Sequence, residues 1–344
     1  MTTQSEPVDS ASISVIMPVY NGVGFIEHSL PPLAAMLERG DLVELLVVDD
    51  GSTDDTVALA RRLGASVMDS GGRLGPGGAR NRAAAAATGE ILWFVDADVV
   101  VQDDAVEKIR RGFAGEGVVA VFGSYDDRPP AQNFFSQYKN LVHHHYHQQA
   151  RHEAVTFWAG CGAVDREQFL ALGGFDIERY PYPSIEDIEL GNRLVGAGGR
   201  IRLVPDLKCT HLKVWTLGNL LHTEVFRRAI PWSRLILQGG GLPDDLNTGL
   251  AERLRAVLAG LLLLSLAGSL AGLLPAWSLA VMLLVVTLAN RALFALFLRR
   301  RGVLFACAGL LFHQVYYLYS GAAFAGVFLE TRLRGGAGQA RDAR

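Results

Sequence analysis

The chain has 344 residues, half of them apolar, and a formal net charge of −3. That length allows more than one domain, and the near-neutral balance excludes the global basic field that nucleic acid would require. The three cysteines, Cys161, Cys209 and Cys307, match no zinc spacing and suggest no disulfide framework, which fits a reducing compartment.

Met1–Ser10 is polar and acidic, lacks the apolar core of a secretory signal, and reads as a disordered tail. Ser12–Val19 reads as a first strand, running into the loop Tyr20-Asn21-Gly22, and a helix follows to about Arg39. Glu44–Val48 is a second strand that ends at Asp49-Asp50-Gly51-Ser52. Thr53–Thr56 offers side-chain oxygens to cap the next helix. Ala65–Met68 is a short third strand; the glycine-rich stretch Gly71–Gly78 then leads through Arg80 into an Ala-rich helix.

Next, the apolar run Ile91–Val95 enters Asp96-Ala97-Asp98, as a strand buried on both faces would. In an extended strand, i and i+2 point to one side, so Asp96 and Asp98 are expected to converge on one object. The simplest such object is a hard divalent ion carrying phosphates; the plainer alternative is a solvated strand end opening a turn. Strand and helix alternate throughout this half, which predicts an α/β fold with a mostly parallel sheet. Ligands of such sheets bind at the carboxyl ends of the strands. Those ends carry Tyr20 and Asn21, Asp49 and Asp50, and Asp96 and Asp98.

Further on, Gln102–Ala114 reads as a helix, Val118–Phe122 as a strand and Phe134–His152 as a helix bearing His143, His144, His145 and His147. His143 and His147, at i and i+4, either bind a metal or belong to a polar helix face lining a cleft. Thr156–Val164 is predicted as a strand, Arg166–Leu172 as a helix, and Arg200–Val204 as the last strand. Between them Glu186, Asp187 and Glu189 open a helix. The helix dipole favours acids there, and Asp187 is also placed to act as a general base at a cleft.

From His211 to Leu237 the chain is amphipathic and mildly basic and predicts helices lying on a membrane surface. Gly239–Asn247 reads as a break. Leu254–Leu274, Ala276–Leu298 and Val303–Leu329 are each long and apolar enough for a span, since roughly 20 residues suffice. Arg253, Arg255 and the block Arg299–Arg301 place both flanking loops on the cytoplasmic side; three full spans would send the Arg-bearing tail Arg332–Arg344 to the far side against the same rule, so the third segment reads either as a span or as a re-entrant or interfacial element. The predicted organisation is a tail over 1–10, an α/β domain over 11–206, interfacial helices and linker over 207–248, about three membrane helices over 252–331 and a disordered tail over 332–344. Asn290 and Arg291, inside a span, are expected to face protein or to meet a lipid phosphate.

Six segments occur in order: Ser14-Val-Ile-Met-Pro-Val-Tyr-Asn21, Val47-Val-Asp-Asp-Gly-Ser-Thr-Asp54, Gly78-Ala-Arg-Asn81, Phe94-Val-Asp-Ala-Asp98, Gly173-Gly-Phe-Asp176 and Ile185-Glu-Asp187. Together they closely resemble family 2 glycosyltransferases, the inverting enzymes of the Rossmann-like GT-A fold, over roughly residues 12–235. The resemblance implies that Pro18, Tyr20 and Asp50, with Asp49, surround the base and ribose of a nucleotide, and that Arg80 lies near it. It implies that Asp96 and Asp98 form the metal motif for Mg2+ or Mn2+, with Asp98 the direct ligand. Asp187, beside Glu186, matches the family's catalytic base. Arg227-Arg-Ala-Ile-Pro-Trp232 departs from the Gln-x-x-Arg-Trp form of processive synthases and leaves Arg227 and Arg228 as diphosphate contacts. The implied partners are a nucleotide sugar, by family habit a UDP-sugar, and a lipid or polyprenyl-phosphate acceptor. The implied place is the cell (inner) membrane, multi-pass, with the catalytic domain cytoplasmic. A processive polysaccharide synthase is the runner-up and a non-catalytic sugar-nucleotide sensor a third reading.

Overall fold

The computed structural model describes residues 11–238 and 249–342, with side chains described through Arg334. The expected tail over 1–10 and the expected break over 239–247 lie outside the described residues. The chain divides into two compact units, Met1–Val214 and Trp215–Arg344.

The first unit begins with four strands and three helices in strict alternation: β1 (Ile13–Val19), α1 (Val23–Glu38), β2 (Glu44–Asp49), α2 (Thr56–Arg62), β3 (Ser66–Asp69), α3 (Gly75–Ala86) and β4 (Ile91–Val95). Every residue of β1 and β4 is buried. The side chains divide by parity: Ile13, Val15, Met17 and Trp93 join one core, and Ile16, Leu92 and Phe94 join the other. A strand apolar at both parities can only sit between two packed layers, which is why these strands read as unbroken apolar runs. The four strands are parallel, in the order β3-β2-β1-β4.

The sheet continues with β5 (Val99–Val101), β6 (Val118–Tyr125), β7 (Glu153–Ala154), β8 (Cys161–Asp165) and β9 (Arg200–His211), giving the order β3-β2-β1-β4-β8-β6-β9-β5 with β7 beside β9. β8 is antiparallel to both β4 and β6, and β5 is antiparallel to β9. The helices α4 (Ala105–Phe113), α5 (Phe134–Gln149), α6 (Arg166–Ala171) and α7 (Glu186–Gly196) complete this unit. The strand predicted over 156–164 forms only from Cys161.

One difference matters for function. The last strand does not stop at Val204 but continues to His211. Pro205-Asp206 imitates a strand end, yet the pairing with β6 resumes after an irregularity, Leu203 opposite Phe122 and then Lys208 opposite Ser124. Gly123 makes this possible, because a Cβ there would stand 2.1 Å from the Leu207 carbonyl oxygen.

The second unit contains α8 (Leu217–His222), a π-helical segment (Thr223–Ala229), α9 (Ile230–Gln238), α10 (Leu250–Leu270), α11 (Ala276–Ala289) and α12 (Arg291–Asp342), which bends at Gly302. Of the about three spans expected, helix length and composition support one or two. Only α10 is by itself long and apolar enough to cross a bilayer among the described residues; α11 and Arg291–Arg334 meet that test as a pair bent by 83°. The break is at Asn290, whose backbone leaves the helical region (φ −104°, ψ 21°). Its side-chain amide donates to the Val286 carbonyl at 2.9 Å, and its Oδ1 accepts from the Tyr317 hydroxyl at 3.2 Å. Tyr317 also donates to Glu252 at 2.7 Å, so Asn290 ends its helix inside a buried polar node. The backbone of α12 is helical to Asp342 where a loose tail is expected, with an Arg334–Glu330 pair at i,i+4 supporting that turn.

Candidate active site

The parallel register brings Val19, Asp49 and Asp69 to one level at the carboxyl edge of the sheet. Just beyond that level, Asn21 takes a left-handed conformation (φ 47°), which asparagine tolerates better than most residues. It ties two loops together: its amide donates to Ser52 Oγ at 2.9 Å and its Oδ1 accepts from the Thr53 amide at 2.8 Å. The cap expected from Thr53–Thr56 does not form: the N-cap of α2 is Asp55, which makes no side-chain cap bond, and Asp54 Oδ1 accepts from the Thr56 amide at 3.1 Å in the turn before the helix.

Asp49 accepts from the Ser52 amide at 3.0 Å. Asp50 is buried, and its oxygens accept from Ser70 Oγ at 2.9 Å and the amides of Leu74 at 2.8 Å and Gly75 at 3.0 Å. Both carboxylates therefore shape the loops around the strand ends. Pro18 is buried within β1 opposite Val48. Tyr20 is the exposed member of this group, with the Arg73 guanidinium 3.4 Å above its ring centre.

Asp96 and Asp98 do not sit on an extended strand. β4 ends at Val95, and the Val99 amide donates to the Asp96 carbonyl at 3.0 Å, closing a turn between β4 and β5. A turn, not an extended strand, carries both carboxylates, and Asp96 lies close enough to feel the charges of both Asp98 and His211. The two carboxylates take different partners: Asp96 pairs with the guanidinium of Arg80, and Asp98 Oδ2 lies 3.4 Å from His211 Nε2. Burial works to raise the Asp98 pKa, but the hydrogen bond and charge of His211, with Lys213, hold it below its ordinary value.

Arg80, on α3 and only 4% exposed, reaches a second acid group. Its Nη1 lies 3.9 Å from Glu186 Oε1. Glu186 and Asp187 occupy the first turn of α7, where the helix dipole favours acids. Glu186 Oε2 accepts from the Ser184 amide at 2.7 Å, and Asp187 Oδ2 accepts from the Ala159 amide at 3.2 Å. The 158–160 segment also meets the other cluster, since the Asp96 amide donates to the Gly160 carbonyl at 3.1 Å. Arg80 and this segment are thus two physical links between the Asp96–Asp98 turn and the start of α7. Glu189 is structural: it pairs with Arg193, whose guanidinium donates to the carbonyls of Leu172 and Gly174. Asn81 clamps the same turn by exchanging hydrogen bonds with the Phe175 backbone, both at 2.8 Å. Gly191 lets α7 approach closely, because a Cβ there would stand 2.5 Å from the Phe157 amide nitrogen.

Burial, then the charge of Asp187, push the Glu186 carboxyl up to about 7, against the pull of Arg80. The folded protein therefore binds a proton here that the unfolded chain releases near pH 4.5, and this stability is lost as pH rises toward 7. Glu186→Gln is expected to raise the melting temperature relative to the parent at pH 8 but not at pH 4. Thermal unfolding at the two pH values checks this; a gap independent of pH would contradict it.

His211 was not legible as a site residue, because the strand that delivers it reads as ending seven positions earlier, at Val204. Register is the signal that finds it: β5 starts directly after Asp98, and its first residue, Val99, pairs with His211. Among the described residues no three His, Cys, Asp or Glu side chains could hold a metal ion by themselves. The α5 histidines turn inward to the protein: His144 and His147 place Nδ1 against the carbonyls of Tyr125 at 2.7 Å and Gly123 at 2.9 Å. Arg227 and Arg228 belong to the second unit, in its π-helical segment, where Arg228 pairs with Glu224.

A family model described as Glycosyl transferase family 2 matches residues 14–172. These residues are a family 2 glycosyltransferase domain. Glycosyltransferase AglD of Haloferax volcanii is 31% identical over 208 residues, covering 56% of this chain and 32% of its own length. The pre-mycofactocin glycosyltransferase of Mycobacterium tuberculosis is 26% identical over 273 residues, covering 72% of this chain and 55% of its own. The chain thus spans about a third to a half of these curated relatives. The mannosyltransferase PcManGT of Pyrobaculum calidifontis, solved with GDP-Man and Mn2+, has a TM-score of 0.56 at 22% identity, covering 93% of this chain and 88% of that one. That likeness is one of fold: the family 2 domain has the GT-A architecture, and a helical region follows it.

Proposed function

We propose that this chain is a membrane-anchored, inverting, metal-dependent glycosyltransferase that moves a sugar from a nucleoside-diphosphate donor to a lipid or lipid-linked acceptor at the cytoplasmic face of the cell membrane. The observation that carries the reading is the pairing of two acid clusters through buried Arg80, at the carboxyl edge of the sheet of a family 2 domain. The nucleotide sugar and Mn2+ bound by the Pyrobaculum mannosyltransferase support the same class of donor and ion.

The residues present fit a divalent ion. Asp98 offers a hard oxygen and His211 an imidazole nitrogen, with Asp96 beside them. An Mg2+ or Mn2+ site in a phosphate-transferring enzyme commonly takes only one or two protein carboxylates and completes its shell with substrate phosphates and water. Such an ion, when bound, neutralises negative charge on the departing diphosphate.

The chain's own groups divide the remaining work. Tyr20 presents an aromatic face to the nucleotide base, while Pro18, Asp49 and Asp50 fix the loops beneath it. Arg80 holds the Asp96 turn and the start of α7 in one geometry, so that donor and base keep a fixed separation. The acceptor hydroxyl attacks the anomeric carbon opposite the leaving diphosphate, Asp187 takes its proton, and the configuration inverts. Two features support the membrane part of the reading: the apolar α10, and the basic block Arg299–Arg301, whose sign fits a cytoplasmic loop.

The test is transfer of labelled sugar by the detergent-purified full chain, supplied with UDP- and GDP-sugars and a membrane lipid extract. Label entering the organic phase as a single addition is the expected result. Label in a growing, water-soluble chain would replace this reading with a processive synthase.

A further inference from the structure

His211 is one end of a column of rings that runs back into the protein from Asp98. The Tyr125 ring lies 4.4 Å from His211 with only 9° between planes. The His143 ring is 4.2 Å from Tyr125, and His147 is 3.9 Å from His143. Trp158 lies alongside the column, 4.8 Å from Tyr125, 4.7 Å from His143 and 5.4 Å from His147, nearly perpendicular to the first and last. Tyr125 is itself gripped by its backbone, where its carbonyl meets His144 Nδ1 and its strand pairs with β9 at Cys209.

We propose that Tyr125 is a positioning residue for His211, setting the plane of the imidazole so that Nε2 is aimed at the ion beside Asp98. The inference rests on the reading of Asp98 and His211 as ion ligands. The torsion that turns an imidazole about its Cβ–Cγ bond is broad and soft. A ligand nitrogen keeps its lone pair in the ring plane, so a ring free to turn offers that lone pair in many directions. Stacking within 9° on a ring that is itself buried removes this freedom before the ion arrives. Metal-binding histidines are usually oriented by a hydrogen bond to the second ring nitrogen; here a ring face does that work. The histidine run of α5 gains a purpose as well. His143 and His147 back the Tyr125 ring, and His144 holds its main chain, so a helix that looks metal-binding in sequence acts one layer behind the ion.

The test uses the purified full chain with Mn2+ and UDP or GDP, read by electron paramagnetic resonance for Mn2+ affinity and for magnetic coupling to an imidazole nitrogen. Tyr125→Phe keeps the ring and is expected to bind Mn2+ as the parent does, with the nitrogen coupling intact. Tyr125→Leu is expected to weaken Mn2+ binding by about tenfold and to broaden or abolish that coupling. Binding of the nucleotide without metal, and circular dichroism, are expected to remain those of the parent. Tyr125→Met, which fills the space without a ring plane, is read in the same way if the leucine variant does not fold. A folded Tyr125→Leu or Tyr125→Met protein with the parent's Mn2+ affinity and nitrogen coupling would overturn the proposal. His211→Ala separates the two failures: if that variant also binds Mn2+ as the parent does, the ion-ligand reading itself falls, and with it the basis of this inference.

Discussion

Replacing Asp98 with alanine is expected to lower sugar transfer about a thousandfold or more while leaving the family 2 domain folded. The size follows from where charge develops. A nucleoside diphosphate leaves carrying negative charge, and groups preorganised to meet that charge in a site shielded from water are usually the largest contributors to such rate enhancements. Asp98 is the carboxylate best placed for an ion, because it stands beside His211 Nε2 while Asp96 is taken up by Arg80. Structurally it is inexpensive to remove. It lies in a turn, and the backbone bond from the Leu212 amide to the Asp98 carbonyl, 2.8 Å, survives the substitution. Initial rates over a Mn2+ series, with thermal unfolding as the folding control, check the expectation. Parent-like turnover by Asp98→Ala would remove the ion assignment.

Asp187→Asn is expected to lower transfer by about 10²- to 10⁴-fold, the usual range for loss of a positioned general base, with nucleotide affinity unchanged. Asparagine is nearly isosteric and its Oδ1 can still accept from the Ala159 amide, which Asp187 Oδ2 does at 3.2 Å. The start of α7 therefore keeps its place while losing the ability to take a proton. Calorimetric titration with UDP and GDP, alongside transfer rates, separates the outcomes. Lost nucleotide affinity would place Asp187 in the donor half of the site. A loss below about tenfold would mark an acceptor that is already ionised, as a phosphate is, and that needs positioning more than deprotonation.

Much of the first unit was legible because its strands obey a simple rule. Residues such as Ile16 and Met17 are adjacent in sequence and buried in opposite cores, so β1 had to lie inside a two-faced sheet. With the alternation of strand and helix, that placed Tyr20, Asp49, Asp50 and the Asp96–Asp98 pair at one edge. Local geometry at that edge was not legible. Strand parity expects Asp96 and Asp98 on an extended strand, whereas a hydrogen bond from the Val99 amide to the Asp96 carbonyl turns the chain there, and the partners Arg80 and His211 come from elements distant in sequence. Arg80 had no sequence signal for its position between two acid clusters distant in the chain. His211 was hidden by Pro205, which ends a strand in any local reading, whereas the sheet tolerates it beside Gly123. In the second unit, hydropathy read Ala276–Leu298 as one span, although Asn290 can satisfy its amide against its own helix and against Tyr317, and so ends the helix there.

The central claim is that this chain discharges a nucleotide sugar with the help of a divalent ion. Its most direct test is nucleotide release by the detergent-purified full chain from a panel of UDP- and GDP-sugars, with membrane lipid extract present, in Mn2+, in Mg2+ and in excess chelator. Release of one nucleotide that requires the ion and stops in chelator is the expected result. Equal release in chelator, or no release from any donor together with no nucleotide binding, would contradict the account.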